Sequence, residues 1–194
     1  MNKRCVALTE DQYKEAITLL RSGFELDGVK IKPNNRIATI AVLQATLGLR
    51  LGDVLALRMN SFIKDGDRYR LDIVEQKTKK YRRFSVPIEV YSFIQNYMLD
   101  AGISKEAKLF DVSARQTERH LNYVFSKMEL PLRQYGSHSF RKFFATKVYQ
   151  DNGCNIELCR ILLQHSSVSI TQKYIGISPK VIEDALAHTA THLI

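Results

Sequence analysis

The sequence predicts an α+β fold, mainly α-helical, in a single domain with one small antiparallel sheet. Three observations carry this. Apolar residues recur at helical spacing through most of the chain, with capping residues ahead of several runs. One stretch, residues 61–88, changes to alternation. No Gly/Ser/Pro-rich linker divides the 194 residues, a length that fits one core.

Thr9 and Gln12 are spaced as a capping box for a first helix that runs to Gly23. Asn35 to Leu47 forms a second, with Ile37, Ile40, Ala41 and Gln44 on one side and Gly48 as its stop. A short helix through Asp53 to Leu57 leaves Arg50 at the junction. Tyr69, Leu71 and Ile73 then alternate, as do Phe84 and Val86, with turns at Asp65-Gly66 and at the run Lys77 to Lys80. An amphipathic helix follows Pro87 and ends at Gly102; Ser113 and Gln116 open the next with another capping box. Phe140, Phe143, Phe144 and Val148 share a face of a helix that stops at Gly153, and Asn155 caps its successor. A last helix starts at Ser178-Pro179, with proline in the first turn.

Lys and Arg number 29 against 20 Asp and Glu, giving a net charge of +9 and a pI near 9.5. Such a balance favours a polyanionic partner, whose phosphates release counterions on binding. No run approaches a membrane span, and the first residues lack the apolar core of a signal peptide, which predicts a cytoplasmic protein. Cys5, Cys154 and Cys159 are an odd set without framework spacing, so reduced thiols are expected. Cys154 and Cys159 with His165 lack a tight C-x-x-C pair, and neither a metal site nor a cofactor is predicted.

Four clusters stand out: "GLRLGD" with Arg50 and Asp53, the basic run "QKTKKYRR", "HSFR" with His138 and Arg141 one helical turn apart, and "LLQHSSVSITQKYIGIS" with His165 and Tyr174. Singly, each has a plain explanation. Arg50 pairs with Asp53, the lysines are solvated, His138 is half-buried, and Tyr174 is a packing residue. Together they meet one chemical need. Breaking a phosphodiester calls for permanent cations around its non-bridging oxygens, which Arg50 and Arg141 supply with planar forks. His138 and His165 add hydrogen bonds or move a proton, Tyr174 is a nucleophile, and a lysine on the hairpin protonates the leaving oxygen.

In that order, "ATLGLRLGDVLALR", "SHSFRKFFAT" and the terminal histidine-to-tyrosine segment resemble the boxes of the tyrosine recombinases, or phage integrases, over residues 47–178. The resemblance implies the DNA breaking-rejoining fold and an active-site set of Arg50, Lys77, His138, Arg141, His165 and Tyr174, with Asp53 in support. Lys77-Thr78 fits the family's K-T pairing while Lys79 lies at the more usual distance before Pro87, so Lys77 is taken first and Lys79 next. Lys79, Lys80, Arg82 and Lys142 are expected to face DNA. Gln164 stands where the family usually has glycine, and Phe140 where it often has leucine. The resemblance further implies a 3'-phosphotyrosyl intermediate on double-stranded DNA without ATP or metal, in a homotetramer on DNA and a monomer off it. Val181, Ile182, Leu186 and Ala187 either pack on their own core or dock on a neighbouring protomer. Residues 1–194 are expected to be the catalytic domain, without the N-terminal core-binding or arm-binding domains, as a fragment or as a compact recombinase. Two rivals stay open: a type IB topoisomerase, and a DNA-binding regulator that has lost catalysis.

Overall fold

In the structure, a computed structural model that describes residues 5–172 and 174–175, α1 (Glu10–Ser22) begins at Thr9. The Thr9 hydroxyl accepts from Gln12 N and the Gln12 side chain accepts from Thr9 N, so the predicted capping box is present. β1 (Phe24–Leu26) and β2 (Val29–Ile31) then form a hairpin that the reading of the sequence did not foresee. Its signal was Asp27-Gly28, both left-handed at φ 49° and 74°, the backbone a two-residue turn demands.

α2 (Asn35–Leu47) matches its predicted bounds, capped by the Asn34 side chain on Ile37 N. Its apolar residues surround the helix, which suits the central position it takes: α1, α4, α5 and α6 all pack on it. Ile37, Ile40, Leu43 and Leu47 are buried there, each contributing about 1.5–3 kcal/mol by leaving water. α3 covers Leu51–Leu55, two residues earlier than expected, because extended Arg50 (φ −72°, ψ 153°) serves as its N-cap.

A 3-10 turn at Met59–Ser61 leads into β3 (Phe62–Asp65), β4 (Arg68–Val74) and β5 (Tyr81–Val86), an antiparallel sheet in order β3-β4-β5. Leu71 pairs with Phe62 on one side and Phe84 on the other. α4 (Ile88–Asp100), α5 (Ala114–Lys127), α6 (Ser137–Asp151), α7 (Ile156–Leu163) and the short α8 (Val168–Gln172) complete the described chain. Ser113 and Asn155 cap α5 and α7 as predicted. The expected helix at Ser178-Pro179 and the apolar row Val181 to Ala187 lie outside the described residues. Among those described, no helix is long and apolar enough to cross a membrane.

Two helices end in left-handed residues, α2 at Gly48 (φ 59°, ψ 28°) and α7 at Gln164 (φ 54°, ψ 38°). At Gly48 an added Cβ would run into the Phe144 ring as well as meeting backbone strain. Gly48→Ala is therefore expected to lower stability by about 2 kcal/mol or more, read as a shift of the urea midpoint at constant m. Gly28→Ala, equally left-handed but with open space around it, should cost only about 1 kcal/mol.

Candidate active site

The ends of α2 and α7 meet beside the first turn of α6 and the β4–β5 turn, and the candidate residues gather where they meet. Arg50, placed by the Gly48 stop, donates through Nη1 to Glu75 Oε2 at 2.5 Å. It does not pair with Asp53. Asp53 is 2 % exposed, and its Oδ1 accepts from Gln76 N at 2.7 Å, which ties α3 to the turn carrying Lys77. Lys77, Lys79 and Lys80 are exposed on that turn. Lys77 lies near enough to be one of the cations acting on His138. Lys79, left-handed at φ 58°, closes the turn through its N–H to Glu75 O at 2.9 Å.

α6 brings in His138 and Arg141, three residues apart and on one face. Its start is held by Glu118, whose Oε2 accepts from Ser137 N at 3.1 Å and whose Oε1 accepts from the Ser137 hydroxyl. Arg141 is fully buried. Its Nη1 donates to Gly48 O, and its Nη2 donates to Leu163 O at 3.0 Å and lies 3.5 Å from His165 Nε2. His165 is placed by the α7 stop: its N–H donates to Arg160 O, and Arg160 Nη1 donates back to His165 O, both at 3.0 Å. His165 Nδ1 lies 3.1 Å from the Thr171 hydroxyl, which itself donates to Ser167 O. That hydroxyl therefore accepts from Nδ1, leaving Nε2 unprotonated toward Arg141.

Tyr174 closes the cluster. Its hydroxyl is 2.6 Å from His138 Nε2, and its ring stands edge-on to both imidazoles, at centroid distances of 5.1 Å (His138) and 4.6 Å (His165). The Arg141 guanidinium carbon is 5.9 Å from the ring centroid and Lys142 Nζ is 5.4 Å from it. Lys142, expected to face DNA, is thus buried beside Tyr174.

Arg82 requires a correction. Expected on the DNA-facing surface, it is 1 % exposed, pairs with Glu75 Oε1 at 3.1 Å, and donates to Leu47 O at 2.9 Å and Leu162 O at 2.8 Å. With its Nη atoms so engaged it offers nothing to an outside phosphate. Its partner Glu75 was missed as well, although alternation along β4 through Leu71 and Ile73 continues to it and points inward. Glu118 was also missed, because nothing local distinguishes it from other surface acids on α5.

The charges have physical consequences. Burial, then the nearby Arg141, lowers both His138 and His165 to a pKa of about 4, so both imidazoles are neutral near pH 7. Burial and the cations Arg82 and Arg50 lower Arg141 to about 10, and it stays protonated. Burial alone would raise Glu75, but Thr78, Arg50 and Arg82 outweigh it and hold the carboxyl below its ordinary range.

A helical domain with one three-stranded sheet, bringing two arginines, two histidines and a tyrosine to the junction of two helix ends, has the architecture of a tyrosine recombinase catalytic domain. The chain belongs to the phage integrase family, whose model matches residues 7–181. It is 30% identical to the probable integrase/recombinase YoeC of Bacillus subtilis over 152 residues, 76% of this chain and 81% of that protein. With tyrosine recombinase XerC of Leptospira interrogans it shares 28% over 162 residues, 80% of this chain but only 50% of XerC. A crystal structure of the XerH site-specific recombinase, in a post-cleavage complex with palindromic difH substrate, superposes with a TM-score of 0.74 at 18% identity. The match covers 93% of this chain and 52% of that one, so the chain spans about half the length of XerC and of XerH.

Adjacent in sequence, Arg82 and Arg83 should respond differently to truncation. Removing Arg82 takes the partner from buried Glu75 Oε1 and from two helix-end carbonyls, so Arg82→Ala should cost about 3–5 kcal/mol of stability. Arg83→Ala, which breaks a partly exposed pair with Asp72 and a contact of the guanidinium with the exposed Tyr81 ring, should cost about 1 kcal/mol by the same urea titration. The histidines set a pH dependence. Their folded pKa of about 4 lies below the ordinary 6.5, so the unfolded chain binds more protons between these values and stability falls as pH falls through the window. From about pH 7 to 5 the loss should be about 2–4 kcal/mol for the two together, and replacing both by glutamine should remove that share, leaving the part due to His120, which burial also holds below its ordinary value.

Proposed function

We propose that the chain is the catalytic unit of a site-specific DNA recombinase of the integrase type, which cuts and rejoins duplex DNA through a tyrosyl intermediate. The observation that carries this reading is the Tyr174 hydroxyl, 2.6 Å from a neutral His138 Nε2 in a pocket crowded with cations. A half-buried phenol with a proton acceptor and surplus positive charge is equipped to attack a phosphodiester. The family's match over residues 7–181 supports it, as do a YoeC named as an integrase/recombinase and a XerH bound to difH substrate.

The steps use this chain's own groups. The entering phosphate meets the free edge of Arg50. Arg141 is fully buried with Tyr174 against it, so the phosphate gains that second cation only as the ring shifts. Tyr174 Oη bonds to phosphorus and gives its proton to His138 Nε2. The P–O5' bond breaks, and Lys77 gives a proton to the departing O5'. A 3'-phosphotyrosyl bond and a free 5'-hydroxyl result. Attack by the 5'-hydroxyl of a partner strand regenerates the phosphodiester and the phenol, so bond energy is conserved and neither ATP nor metal is required. The negative charge brought by the phosphate offsets the cationic field that keeps the histidines neutral, allowing His138 to hold the transferred proton. Lys79 and Lys80 remain exposed for the DNA backbone. Assembly as a homotetramer on DNA through residues 178–194, from a monomer off DNA in the cytoplasm, belongs to the same proposal. Those residues lie outside the described part.

Covalent trapping tests the reading. Excess protein at low salt is mixed with labelled nicked duplexes from DNA flanking its gene, denatured in detergent and examined for labelled protein, beside Tyr174→Phe. Label on the wild type alone is expected. Arg50→Lys or Arg141→Lys should cut trapping about a hundredfold or more while duplex binding holds. No label with intact binding points to a silent regulator, and efficient plasmid relaxation without a partner site to a topoisomerase.

A further inference from the structure

We infer that Glu75 is a positioning residue of this site: one buried carboxylate that sets both Arg50 and the turn bearing Lys77 for the scissile phosphate. This rests on the recombinase reading above. Glu75 is fully buried at the end of β4, and its two oxygens divide their partners. Oε1 receives Arg82 Nη1 at 3.1 Å; Oε2 receives Arg50 Nη1 at 2.5 Å and the Thr78 hydroxyl at 2.6 Å.

Each contact has a separate consequence. Arg82 is fixed to the interior by main-chain carbonyls, so it anchors the carboxylate and prevents it from following its other partners. Arg50 is 20 % exposed, and Glu75 is its hydrogen-bond partner among the described residues. A long side chain held at one point of its planar fork keeps its remaining N–H groups free and pointed, which a phosphate requires. Thr78 directly follows Lys77, so the third bond reaches the turn whose lysine is to protonate the leaving oxygen. The backbone reinforces it: Glu75 N donates to Lys80 O and Lys79 N donates to Glu75 O, both at 2.9 Å, while Asp53 holds Gln76 from the other side. The two cations assigned to opposite ends of the breaking bond are thereby referred to one group.

A carboxylate that merely neutralised Arg82 would need neither the Arg50 bond nor the Thr78 bond, and this difference is testable. Glu75→Gln, Thr78→Val and Thr78→Ser are made in the full chain and compared in thermal melting, duplex binding and single-turnover trapping. Trapping uses a nicked duplex with the ordinary 5'-oxygen, and one with a 5'-bridging phosphorothiolate, whose sulfur departs without a proton. Glu75→Gln is expected to trap about tenfold to a hundredfold more slowly on both duplexes, from misplaced Arg50, with duplex binding unchanged. Thr78→Val should be slow on the oxygen duplex and restored on the sulfur duplex, and Thr78→Ser should behave as wild type. Thr78 is exposed, so this pair carries the test even where Glu75→Gln does not fold. Thr78→Val cleaving the oxygen duplex at the wild-type rate, or remaining slow on sulfur, overturns the inference. So does a folded Glu75→Gln whose trapping matches wild type, or whose duplex binding falls as far as its trapping. Absence of any adduct with the wild type overturns the recombinase reading, and the inference with it.

Discussion

The structure depends on two buried arginines that satisfy two helix ends. α2 and α7 both stop in left-handed residues, and each stop leaves main-chain carbonyls without helical partners. Arg82 donates to Leu47 O and Leu162 O, and Arg141 donates to Gly48 O and Leu163 O, so each guanidinium bridges the two helices. The negative ends of two helix dipoles converge there, which makes the interior tolerable for cations that burial would otherwise expel. Arg50 and His165 are set directly by these stops, one two residues beyond Gly48 and the other immediately after Gln164.

Holding so many cations together in a partly dry pocket has a cost that is visible in the titrating groups. Both imidazoles are driven to about 4 and Arg141 down to about 10, each by burial first and by neighbouring positive charge after it. An arrangement serving stability alone would have added carboxylates. Glu75 and Asp53 are the buried acids among the described residues, and Asp53 is turned toward a backbone N–H. The shortfall of negative charge is what a phosphate would make good, and together with burial it leaves His138 neutral, as the proposed role of proton acceptor requires.

Most of this was legible in the sequence, for identifiable reasons. Thr9, Ser113 and Asn155 act locally, so their caps appear where the residue types put them. The bounds of α2 were legible because Asn34 and Gly48 frame it. The cluster of Arg50, His138, Arg141, His165 and Tyr174 was legible only through the ordered resemblance, since residues 124 positions apart carry no local sign of contact. What failed was direction. Arg82 reads as one more cation in "KTKKYRR", yet it points inward because β5 pairs Arg82 with Ile73, on the same face as Glu75. A pair between Asp53 and Arg50, three apart, was the plain explanation of that box taken alone; instead Arg50 as N-cap and Asp53 in the helix turn to different partners.

Gln164 shows how a departure from a family pattern can be made good by the rest of the fold. A left-handed backbone favours glycine, and a side chain there carries strain. In this chain the side chain also gains a partner, because Gln164 Nε2 donates to Tyr81 O on β5 at 2.8 Å. Glycine could make the turn but could not make that bond. The bond adds a second tie between the hairpin and the α7 stop, beside the one from Arg82 to Leu162 O. Lys77 and His165 therefore sit on segments joined to each other directly as well as through the core. A hairpin whose tip is exposed and basic would otherwise move independently of the helices, and if the site presents a proton donor and a phosphate clamp to the same bond, as proposed above, such motion would separate them.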